Sequence, residues 1–131
     1  MTYTWIEHTA EVELAIEAAS AAGVFVEATT ALAELIARDP GGEAARREIS
    51  LSAADRAALL ADWLEELVFL ADTEGFVPEG VASLELRGDS VRATVEGRID
   101  RPAPLVKAVT YHRLEFAEDD GGARARLVLD V

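Results

Sequence analysis

Near the start of the chain, the stretch WIEHTAEVEL sets Glu7, His8, Glu11 and Glu13 within seven positions. Carboxylates and an imidazole spaced this way could hold a cation or move a proton. Alternate residues of a strand share a face, so Glu11, Glu13 and Glu17 point one way, away from Val12, Leu14 and Ile16. Oxygen ligands gathered at the end of a sheet suit a hard cation such as Ca²⁺, Mg²⁺ or Mn²⁺. The other end of the sequence supplies more oxygen. If position 131 is the natural terminus, the Val131 carboxylate lies one residue from the Asp130 side chain. His8 and His112, the chain's two histidines, could instead join a glutamate in a mixed transition-metal site. Structural hydrogen bonding is the more ordinary role for both. Lys107 opens the run KAVTYHRL. It suits a charged contact with a ligand or partner, or a surface ion pair of little energetic worth.

Several kinds of chemistry are excluded. There are no cysteines, which removes disulfides, thiolate zinc sites and a cysteine nucleophile. None of the serines sits in a nucleophile elbow, and there is no Walker loop or dinucleotide fingerprint. The formal charge of −13 repels phosphate backbones and argues against direct nucleic-acid binding. It favours a metal cation or a basic protein as partner. No apolar run approaches the roughly 18 residues a membrane span needs, and the start lacks the pattern of a signal peptide. The expectation is a cytoplasmic protein with no membrane association.

The elements that must position these residues follow from periodicity. With half its 131 residues apolar, the chain can bury one core, as a single domain spanning residues 1–131. Residues 3–7 and the alternating 12–18 read as strands. From Gly23 the period becomes helical, with Val24, Phe25, Ala28, Leu32, Leu35 and Ile36 on one face, ending near Arg38 before Pro40. Residues 40–47 read as a loop and 48–51 as a short strand. Ser52 offers a cap to a second helix, whose stripe is Leu59, Leu60, Trp63, Leu64, Leu67 and Val68 and whose stop is Gly75. Trp63 belongs to the core. Residues 82–86 and 91–95 form a hairpin around 87–90. Residues 106–116 read as a long strand, 118–122 as a turn, and 124–131 as a closing strand. The sum is an α+β two-layer sandwich, two helices packed on a mostly antiparallel sheet.

Four stretches of this pattern resemble the archease family. HTAEVEL at 8–14 is similar to its H-T-A-D opening. VKAVTYHRL at 106–114 is similar to its K-A-[VI]-T-Y-H signature, LLADWLEELVFL at 59–70 to its leucine-tryptophan helix, and LVLDV at 127–131 to its terminus. The resemblance covers essentially the whole chain. It implies a non-catalytic cofactor of a GTP-dependent RNA ligase that joins 2′,3′-cyclic phosphate or 3′-phosphate ends to 5′-hydroxyl ends. Such a cofactor promotes guanylylation of the ligase and multiple turnover in tRNA splicing or RNA repair. The resemblance also implies a divalent metal, Ca²⁺ before Mg²⁺ or Mn²⁺, held by Glu11, Asp130 and the Val131 carboxylate. It implies activation or partner contacts at Lys107 and Asp39. Glu11 departs from the family aspartate. Its carboxylate reaches about 1.5 Å further, one carbon–carbon bond. Ca²⁺ tolerates such irregularity better than Mg²⁺, so the departure bears on metal dependence.

Two other functions compete. A small metal-dependent hydrolase would use Glu11, Asp130 and a histidine to activate water, and needs an open coordination position. An acidic interaction module would bind some other basic protein.

Overall fold

The computed structural model describes residues 1–8, 11–37, 42–100 and 106–131, with only the backbone of Glu7 and His8. Among the described residues, seven strands and two helices run in the order β1 (Thr2–His8), β2 (Glu11–Ala18), α1 (Ala21–Ile36), β3 (Glu43–Ser52), α2 (Arg56–Glu74), β4 (Phe76–Arg87), β5 (Ser90–Ile99), β6 (Ala108–Asp119) and β7 (Gly122–Asp130). The α+β expectation holds, with one difference. The strands divide into two antiparallel sheets, of order β1-β2-β7-β6 and β3-β5-β4. Each helix packs on strands of both sheets, so the helices join them.

Alternation decides which residues go inside. Leu14 and Ile16 of β2 and Leu127 and Leu129 of β7 face the helices and are buried with Phe25, Leu32, Leu59, Leu64 and Leu67. Trp63 is fully buried, edge-on to Phe25, and its indole Nε1–H donates to Thr29 Oγ1 at 2.9 Å. That bond satisfies the one polar group that burying an indole brings inside. Among the described residues no helix is long and apolar enough to cross a membrane.

The helix ends show where capping chemistry outranks position. α1 begins at Ala21, capped by Ser20, whose Oγ accepts the Gly23 N–H at 3.1 Å. α2 is capped by Asp55, whose carboxylate accepts the Ala58 N–H at 2.8 Å, rather than by the expected Ser52. Ser52 ends β3 instead and shares a hydroxyl contact with Ser90. An Asp is as good a cap as a Ser. Gly75 terminates α2 as expected, with φ 70°, the left-handed conformation that glycine adopts without steric cost.

β3 starts at Glu43, five residues before the expected strand, because its register partner is β5 from Ile99 backwards. Backbone pairing, not burial of its polar first half, makes those residues a strand. The hairpin β4–β5 turns at Gly88-Asp89, as expected.

Candidate functional site

The four-stranded sheet brings the two ends of the sequence together. β2 and β7 run antiparallel, and Glu11 lies directly opposite Asp130. Cross-strand partners in register present side chains to the same face, so both carboxylates lie on the sheet face turned away from the helices. Val131 follows at once, half-buried. On the other side of β7, Ala108 of β6 is opposite Asp130. Lys107, immediately before it, donates its backbone N–H to the Asp130 carbonyl at 2.8 Å. Glu11, Asp130, Val131 and Lys107 therefore gather at one end of one sheet, from positions up to 120 residues apart. The Lys107 side chain is exposed. Among the described residues its ammonium makes no ion pair. Asp39 lies outside the described residues, as does the His8 side chain.

The oxygen donors fit a hard divalent cation in type. Two carboxylates from adjacent strands are in register, and a C-terminal carboxylate at Val131 would be a third. Among the described residues no three His, Asp or Glu side chains are grouped closely enough to hold a metal, so a site built from Glu11 and Asp130 needs a further donor, which a carboxylate at Val131 supplies if position 131 is the natural terminus. His112 is exposed on β6. Among the described residues nothing draws it toward Glu11 and Asp130, and the mixed histidine site gains no support.

Strand alternation places Glu13 on the same outward face as Glu11. It is 3 % exposed although it lies on the outward face, and its cross-strand partner Val128 is fully buried there too. A carboxylate in that position needs a cation. Two arginines provide it. Arg113 Nη1 donates to Glu13 Oε1 at 3.2 Å, and Arg126 Nε stands 4.0 Å from Glu13 Oε2. The Arg113 guanidinium also reaches Glu11, with Nη2 3.8 Å from Oε1.

Arg113 arrives there through a break in the ladder. Thr110 of β6 pairs with Val128 and Glu115 pairs with Arg126, so four β6 residues stand against the single Leu127. Bulges of this kind re-aim side chains. Arg113 has φ 57°, the only positive φ at a non-glycine among the described residues. A left-handed arginine costs about 1 kcal/mol, which the ion pairs to Glu11 and Glu13 counter. Nothing in the alternation of the sequence signals this bulge. The only hint is that VTYHRL interrupts an apolar-polar pattern with four polar side chains in a row, Thr110 to Arg113.

Tyr111, in the same bulge, is 59 % exposed, and its hydroxyl donates to Asp62 Oδ1 of α2 at 3.2 Å. Desolvation against α2, then the Asp62 charge, the hydrogen bond to it, and the charges of Glu65 and Asp55 raise the phenol above its ordinary 10.0.

Comparison with known proteins agrees with this architecture. The model of the Archease protein family matches residues 3–131. The archease of Methanothermobacter thermautotrophicus is 34% identical over 82% of this chain and 83% of its own length. That of Methanopyrus kandleri is 34% identical over 100% of both chains. The solution structure of Methanobacterium thermoautotrophicum protein 1598 superposes with a TM-score of 0.72 at 29% identity, covering 98% of each chain. The crystal structure of a Thermotoga maritima archease, described as a possible chaperone, has the same fold at TM-score 0.70 and 24% identity, covering 96% of this chain and 94% of that one.

Proposed function

The chain belongs to the archease family, and from that premise we propose that it is a non-catalytic activator of a GTP-dependent RNA ligase. It promotes guanylylation of the ligase and its multiple turnover in joining 3′-phosphate or 2′,3′-cyclic phosphate ends to 5′-hydroxyl ends, in tRNA splicing or RNA repair. The observation that carries this reading is the convergence of Glu11, Asp130, Val131 and Lys107 at one end of the four-stranded sheet. By the motif resemblance, these positions would carry the family's metal and activation residues.

With position 131 as the natural terminus, Glu11, Asp130 and the Val131 carboxylate would hold a divalent cation, Ca²⁺ or, less readily, Mg²⁺ or Mn²⁺. When bound, the cation supplies positive charge at an otherwise anionic edge. Lys107 adds an exposed ammonium beside it. The reaction belongs to the ligase, and this chain supplies a charged contact. The net charge of −13 suits docking to a partner that is basic around its RNA site, since opposite fields accelerate the encounter. It also argues against this chain holding RNA itself.

The test is ligation of a 3′-phosphate RNA to a 5′-hydroxyl RNA by the cognate ligase at limiting enzyme. Adding the chain should raise both the guanylylated fraction of ligase and the product formed per ligase. A ligase indifferent to it on both readouts would remove the proposal.

A further inference from the structure

Arg113 brings a guanidinium into the proposed metal edge, and the activator reading does not use it. Its guanidinium is shared. Nη1 is fixed by the buried Glu13 at 3.2 Å, and Nη2 faces Glu11 Oε1 at 3.8 Å. Glu13 is 3 % exposed, so it cannot turn to water for compensation and keeps the guanidinium in place. Arg126, at 4.0 Å from the other Glu13 oxygen, is a weaker second partner. A bulge in β6 and a left-handed backbone are both spent on this placement. Glu11 thus starts with a competitor for its charge.

The geometry points to Arg113 as an internal counter-cation that sets the divalent-ion affinity of the Glu11–Asp130 edge. With no ion bound, Arg113 neutralises Glu11 and keeps the edge folded. A divalent ion binds only by drawing Glu11 away from the guanidinium and against its positive charge. The arm of Glu11 matters here. Glutamate is long enough to choose between Arg113 and the Asp130 side, and a shorter aspartate would lie further from the guanidinium. Arg113 is therefore a positioning residue acting through Glu11, and this inference rests on the metal reading above.

Calorimetric titration of the full chain with Ca²⁺ and with Mn²⁺ tests it. Arg113→Gln should bind about tenfold more tightly than the unaltered chain, the effect of removing one like charge from a half-exposed edge. Arg113→Lys keeps the charge and should stay within about threefold of the unaltered chain. Glu11→Gln should abolish binding in either background. Arg113→Gln leaves Glu13 with Arg126 alone, so the double variant Glu13→Gln/Arg113→Gln guards against misfolding. It should bind at least as tightly as the unaltered chain, because the charges removed cancel while the competitor is gone. A gain in affinity is not an outcome that a merely structural lesion produces. Folded Arg113 variants binding no more tightly than the unaltered chain, with the unaltered chain itself binding, would overturn the role of Arg113 and leave the metal reading standing. Absence of binding in every chain would overturn both.

Discussion

Replacing Arg113 with methionine keeps the length of the side chain and removes its charge, so it isolates what the guanidinium does for Glu13. Removing one partner of a fully buried ion pair costs about 3–5 kcal/mol. Two features of the structure reduce that figure here. The Arg113 side chain is 46 % exposed, and Arg126 Nε remains 4.0 Å from Glu13 Oε2. Solvent screening and the second arginine together bring the expected loss to about 1–2 kcal/mol. For a domain of this size that is a fall in Tm of roughly 3–8 °C. Urea melts followed by circular dichroism should show it as a lower midpoint at unchanged slope. The second arm is Glu13→Gln/Arg113→Met, which takes away the stranded carboxylate and should recover at least half of the loss. Arg113→Met melting within about 0.5 kcal/mol of the unaltered chain, or no recovery in the double variant, would refute the view that Arg113 compensates a buried charge.

Other perturbations follow from single residues. Arg113→Gly should be less destabilising than Arg113→Ala by about 1 kcal/mol, since both lose the ion pairs but only glycine is at ease at φ 57°; chemical denaturation of the pair measures the gap. Gly97→Ala should cost about 2 kcal/mol or more, because a Cβ there would run into the Val77 carbonyl oxygen of β4, which is backbone and cannot swing aside; thermal melts read it directly. The Tyr111 phenol should titrate above 10.0 by ultraviolet absorbance, and Asp62→Asn should lower its midpoint. Because the folded-state value is the raised one, the small stabilisation tied to it is complete below the unfolded value near 10 and fades as pH rises through the folded one.

What the sequence discloses and what it hides divide along physical lines. The alternation of Val12, Leu14 and Ile16 is a direct record of one buried face, and β2 lies where that pattern puts it. Gly75 and Gly88, which lack a Cβ and adopt positive φ freely, mark their turns by residue type alone, so the end of α2 and the β4–β5 hairpin are legible. The first half of β3 is not, because Glu43 to Arg47 are held by partners on β5 and not by burial. At the site, the meeting of Glu11 with Asp130 could be expected only from family resemblance. The register of β2 against β7 is what supplies it. Arg113 was out of reach altogether. Its role depends on a bulge created by pairing at a distance and on a glutamate whose burial alternation alone predicts to be exposed.

The most direct measurement is the guanylylated fraction and turnover number of the cognate ligase, at limiting ligase, with the unaltered chain and with Glu11→Gln/Asp130→Asn. The account predicts that the unaltered chain raises both quantities. It predicts that the double variant, folded by circular dichroism, leaves them at the level of ligase alone. A double variant that stimulates as well as the unaltered chain would contradict the assignment of this sheet end as the activating site.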